Sequence, residues 1–150
     1  QTVLAITQDM KRTYLDAGEG AAMAKFIAFV MFDGELPSDY LEGPAPDPAL
    51  FGMTSEDDGS RSNPLFRNMP AIIEYEPAVS NLRALGDRLV LAAGIESGAT
   101  MAARGARAIA EVIGSQVAEF PSHHGGFMDA PGYPGDPVGF GARLREILDR

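Results

Sequence analysis

QVAEFPSHHGGF, residues 116–127, decides how this chain is read. Gln116 to Phe120 is a run of strand length, and it leads straight into a turn that holds both histidines of the protein, His123 and His124, ahead of Gly125-Gly126. Upstream, RLVLAA at 88–93 is a second run of strand length, closed by Gly94. Between them SGATMAARGARAIAEVIG, 97–114, carries helical spacing. Met101, Gly105, Ala108, Ile109 and Val112 form its expected buried face, and Arg107 and Glu111 stand four apart on the outer one, as an ion pair would. Downstream, DPVGFGARLREILDR at 136–150 opens with Asp136 as cap and Pro137 at the first helical position, and it turns Phe140, Leu144 and Ile147 inward. Strand, helix, strand, loop, helix predicts an α/β arrangement: two parallel strands joined by a right-handed crossover, with flanking helices.

The first part of the chain is helical by pattern. Val3, Ile6, Met10, Tyr14 and Ala17 share one face of a helix over 2–17, and Gly18 and Gly20 end it. AAMAKFIAFVMF at 21–32 follows, apolar on nearly every side, so it needs cover on more than one face. A short glycine turn between two helices predicts a helical hairpin. Residues 33–64 then hold eight acidic residues against Arg61 alone, with five prolines, and read as a long solvated acidic loop. Asn63-Pro64 caps a further helix over 65–76, kinked or stopped near Pro70 and Pro77.

Composition removes several function classes. A net charge of -9, with no Lys/Arg cluster, argues against nucleic acid and anionic lipid surfaces. The twelve-residue apolar run is too short for a membrane span, which needs about 20 residues. It also lacks the basic leader of a signal peptide. Without cysteine there is no disulfide framework and no thiolate metal site; the redox compartment stays open, with the cytoplasm favoured. Two strands do not make a stable sheet. The sheet is therefore expected to continue in another chain, or these 150 residues are one piece of a larger protein, as the start at Gln1 rather than Met also suggests.

Ligands of open α/β sheets bind beyond the carboxyl ends of the strands. Gly94-Ile95-Glu96-Ser97 and Ser122-His123-His124 both belong there, on strand exits roughly 5 to 10 Å apart. A carboxylate from one loop and an imidazole from the other would form the acid–base part of a Ser-His-acid triad.

From about Leu82 to Arg150 the chain resembles the C-terminal part of an α/β-hydrolase of the esterase, lipase and epoxide-hydrolase superfamily. RLVLAAG is similar to the strand that leads into the acid loop, VAEFPSHHGGF to the last strand and histidine loop, and DPVGFGARLREIL to the closing helix. The resemblance implies that residues 1–81 are a helical cap and that 82–150 are the βαβα end of the core, with AAMAKFIAFVMF roofing a pocket for an apolar substrate moiety. Aligned on the family's Pro-Gly-x-His turn, His124 is the base, with His123 at a position usually variable. The family's Gly-x-x-Asp places its acid at position 97, where this chain has Ser97, so Glu96 is the candidate acid one residue early. The nucleophile elbow, Gly-x-Ser-x-Gly, does not occur in the 150 residues. The implied function is ester or related acyl hydrolysis with the nucleophile supplied by a missing N-terminal segment or companion chain, this chain alone being inactive; oligomers are possible and no cofactor is implied. Other readings remain: a non-catalytic α/β binding module; a dinucleotide-binding unit on Gly94-x-x-x-Gly98 with Glu119, though Gly-x-Gly-x-x-Gly is absent; and a metal site needing Asp129 or Asp136 beside the histidines.

Overall fold

The structure, a computed structural model, describes residues 3–130 and 133–149. The chain forms two compact units, Gln1–Glu76 and Pro77–Arg150, each with its own packing.

In the first unit α1, Val3–Val30, is broken at Gly18, whose φ of 86° and ψ of -176° leave the helical region. Asp9 and Lys25, sixteen residues apart, meet at 2.6 Å across that break. On one straight helix they would stand about 24 Å apart. The halves therefore fold back on each other as the expected hairpin, although the second half already includes Gly20 and stops at Val30. Ile6, Met10 and Tyr14 are buried as their spacing predicts, while Ala17 is exposed. No residue from 21 to 30 is exposed, in keeping with a helix that is apolar all round.

The second helix, α2 (Pro64–Ile73), begins where Asn63 and Pro64 place it: the Asn63 side chain accepts from the Leu65 N–H at 2.9 Å. The helix continues through position 70 and ends before Pro77. Phe66 and Met69, on its inner stripe, are buried, and Phe66 stacks on Tyr14 with centroids 4.8 Å apart.

The acidic segment between these helices is more ordered locally than its composition suggests. It contains two single turns of 3-10 helix, Tyr40–Glu42 and Pro48–Phe51, and its last part is fastened over the α1 break. A Cβ on Gly20 would overlap the Thr54 carbonyl oxygen, and one on Gly18 would lie 2.5 Å from the Asp57 carboxylate. Only glycines allow that approach. Arg61 grips Asp57 through both terminal nitrogens, at 2.8 and 2.7 Å, and donates to the Leu15 carbonyl as well. The Asn63 N–H donates to the Tyr14 hydroxyl at 2.9 Å.

In the second unit a short helix α3 (Val79–Ala84) and a 3-10 turn at Gly86–Arg88 lead into β1 (Leu91–Gly94). Then come α4 (Met101–Ile113), β2 (Val117–Phe120) and α5 (Pro137–Leu148). The strands pair in parallel, with Leu91 opposite Val117 and Gly94 opposite Phe120, so the mixed α/β class and the parallel pair expected from the sequence are present. The expected face of α4 is corrected. Ala103 and Ala110 are its buried residues, whereas Gly105, Ala108 and Val112 face outward. Alanines at the contact let the helix backbone come close to the strand, and larger side chains turn away. The Arg107–Glu111 pair does not form; Arg107 donates instead to the Gly98 carbonyl at 2.8 Å. On α5, Asp136 caps the Gly139 N–H at 2.8 Å and Ile147 is buried, but Leu144 is 39% exposed. Among the described residues the sheet has two strands, too few to cover the outer side of α5.

The Asp57 carboxyl is lowered from 3.8 to about 2, first by the Arg61 hydrogen bonds and then by the Gly59 N–H. Its folded value lies below the unfolded one, so this anchor contributes fully above 3.8 and is lost as the pH falls through about 2. A carbon-detected NMR titration should find Asp57 near 2 in the wild type and back in the ordinary carboxylate range in Arg61→Gln. Ordinary titration in both would contradict the anchor.

Candidate functional site

The parallel ladder does not stop at the strand ends. Beyond Gly94 the Ile95 N–H donates to the Phe120 carbonyl at 2.9 Å, and the Glu96 N–H to the Ser122 carbonyl at 3.0 Å. These two bonds draw the Glu96 loop and the histidine loop together at the carboxyl edge of the sheet. Gly94 sets how close they come: a Cβ there would lie 2.5 Å from the Ser122 oxygen and 2.8 Å from the His123 carbonyl carbon.

Each loop then makes a sharp turn. Ser97 N–H closes back on the Gly94 carbonyl at 3.0 Å, and Gly98 takes a positive φ of 53° on the way to α4. In the histidine loop Ser122 has a φ of 67°, a conformation that costs an L-residue about 1–2 kcal/mol. Among the described residues no other non-glycine has a positive φ. Ser122 is buried, and its turn is closed by the Gly126 N–H on the His123 carbonyl at 2.9 Å.

The two histidines have different environments. His123 Nδ1 accepts from the Gly125 N–H at 3.1 Å, which leaves Nε2 to carry the proton and donate to the Pro134 carbonyl at 2.8 Å. Its ring lies against Tyr133, centroids 4.1 Å apart. Both ring nitrogens of His123 are thus taken up, Nδ1 within the loop and Nε2 in holding the loop to Pro134. His124 is exposed and makes no hydrogen bond or ring contact among the described residues. Glu96 is likewise exposed, and its carboxylate makes no hydrogen bond or ion pair there. The structure therefore puts both candidate residues on neighbouring loops at the expected edge, without pairing their side chains.

Position 97 explains part of this. Ser97 is 5% exposed, and its hydroxyl is buried without a hydrogen-bond partner among the described residues, as is that of Thr100. A carboxylate at 97 would be buried there, at a far greater desolvation cost than a hydroxyl. The exposed acid of this loop is Glu96. Ser97 stood out in the sequence only as the place where an acid was expected; its burial and the left-handed Ser122 carried no sequence signal. Tyr133 and Pro134 could have been noticed as an aromatic–proline pair within reach of the histidine loop.

The described residues hold no cluster of three or more His, Asp or Glu suited to a metal, and the Asp136 carboxylate serves as the cap of α5. Among them no helix is long and apolar enough to cross a membrane. Compared with known family models, curated proteins and solved structures, the chain matches none.

Gly94→Ala should lower stability by about 1–3 kcal/mol, because the new methyl must push two backbones apart. Gly105→Ala is the matched control: it sits in α4 with nothing within 4 Å of its added Cβ, and should raise stability by about 0.5–1 kcal/mol. Urea unfolding of both variants measures the contrast. Equal effects would contradict the close approach at Gly94.

Proposed function

We propose that residues 82–150 carry the acid–base part of a serine-type α/β-hydrolase site, acting on an ester or related acyl bond. The observation that carries this reading is the division of labour between the histidines: backbone groups occupy both nitrogens of His123, and His124 stands open at the carboxyl edge of β2 beside the Glu96 loop. In this reading His124 takes the proton of a serine hydroxyl as that oxygen attacks the acyl carbon, and returns it to the leaving group. It then takes a proton from water as the water oxygen attacks the acyl carbon, and gives that proton to the serine oxygen as the acyl–serine bond breaks and the acid is released. Glu96 orients the imidazole and steadies the imidazolium. The serine and its oxyanion donors come from a preceding segment or a companion chain. Exposed Val90, Ile95 and Leu144 fit a sheet that is extended by such a partner.

A non-catalytic α/β binding module is the second reading. The absence of a Glu96–His124 hydrogen bond among the described residues favours it.

The test uses the polypeptide or complex that contains the Gly-x-Ser-x-Gly element, assayed on a chromogenic p-nitrophenyl ester. His124→Ala should lower kcat by about 10²–10⁴-fold with an unchanged unfolding midpoint. His123→Ala should instead lower the unfolding midpoint. Undiminished hydrolysis by His124→Ala would reject the assignment and leave the binding-module reading.

A further inference from the structure

The first unit contains a cleft of about 260 Å³ bounded by the two halves of α1 and by residues 40–46. That volume lies between the roughly 150 Å³ that holds a benzene ring and the roughly 300 Å³ at which drug-sized sites begin. Its floor is apolar, formed by Ile6, Met10, Ala28 and Phe32, and Tyr40 closes one side. The Tyr40 ring packs edge-on against Phe32 at 5.7 Å, and burial raises its phenol above the ordinary value.

Lys25 and Asp9 form a charged part of the wall, Lys25 Nζ lying 2.6 Å from Asp9 Oδ2; Arg12, outside the cleft lining, stands 3.5 Å from Asp9 Oδ1. The three groups together carry one positive charge in excess, within a protein of net charge -9. Lys25 has three N–H donors, and Asp9 is the acceptor it meets among the described residues. Donor capacity therefore remains on an ammonium that lines an apolar cleft. Beyond Tyr40 the surface changes sign: Asp39 and Glu42 border a more open depression with Pro37 and Gly43. One anionic group at the Lys25 end is favoured, and a second at the far end is repelled.

We infer that this cleft binds a small monocarboxylate with an apolar body, the carboxylate on Lys25 and the body over Met10, Ala28 and Phe32. The inference is independent of the hydrolase reading, since every residue it uses lies in the first unit and no catalytic step is involved.

Calorimetric titration of the 150-residue chain with octanoate, 1-octanol and octanedioate tests it. Octanoate should bind about tenfold more tightly than either of the others. Lys25→Gln should remove the preference of octanoate over octanol while leaving octanol binding in place. Ala28→Leu, which fills the floor and keeps the ion pair, should weaken octanoate and octanol alike by at least about fivefold. Circular dichroism shows that each variant keeps its helices. Equal binding of octanoate and octanol by the wild type, undiminished binding in Ala28→Leu, or no octanoate binding up to millimolar concentration would each overturn the inference.

Discussion

The candidate site depends on one close approach, that of Gly94 to the backbone of Ser122 and His123. Parallel strands normally diverge into independent loops once their ladder ends. Here the absence of a side chain at Gly94 lets the ladder continue for two more bonds, from Ile95 to Phe120 and from Glu96 to Ser122. The Glu96 loop and the histidine loop are thereby placed by backbone geometry, before any side chain is considered. A larger residue at this position would separate the two loops even with both strands intact.

Ser122 is the counterpart of that constraint. For its carbonyl to meet the Glu96 N–H, the chain must turn sharply straight after Pro121, and Ser122 takes a left-handed conformation to do so. Strain of this kind persists where surrounding contacts over-determine it. The surrounding contacts are visible: the Gly126 N–H on the His123 carbonyl, the Gly125 N–H on His123 Nδ1, and the Pro134 carbonyl on His123 Nε2. His123 thus works as a brace, and its neighbour is left with an open imidazole. The buried hydroxyls of Ser97 and Thr100, unpartnered among the described residues, lie in the facing turn.

Much of the fold was legible from residue pattern because short-range physics decides it. Asp136 and Pro137 announced α5, Asn63 and Pro64 announced α2, and two strand-length runs around a helical stretch announced the parallel pair. The reading failed where partners are distant in sequence. Which face of α4 is buried depends on how closely a helix can approach a strand, and that selected Ala103 and Ala110 over Val112. The acidic segment looked merely solvated because composition does not show that Arg61 reaches back to Leu15, or that Thr54 fits against Gly20. The site was legible to the level of its loops: Glu96 and His124 were placed on neighbouring strand exits, while the roles of His123, Ser97 and Ser122 needed coordinates. Lys25 stood out only as an interruption of an apolar run. Its pairing with Asp9 is a product of the hairpin.

The central claim is that the adjacent histidines divide their work, His123 holding the loop and His124 remaining chemically available. Acylation by diethyl pyrocarbonate reads this directly, because the reagent needs a free imidazole nitrogen. Fragment-ion mass spectrometry of the peptide spanning both residues, sampled over time on the folded chain at neutral pH, gives a separate rate for each. The expected result is rapid modification of His124, with His123 protected until the chain is unfolded in urea. Equal rates on the folded chain, or faster reaction at His123, would contradict it.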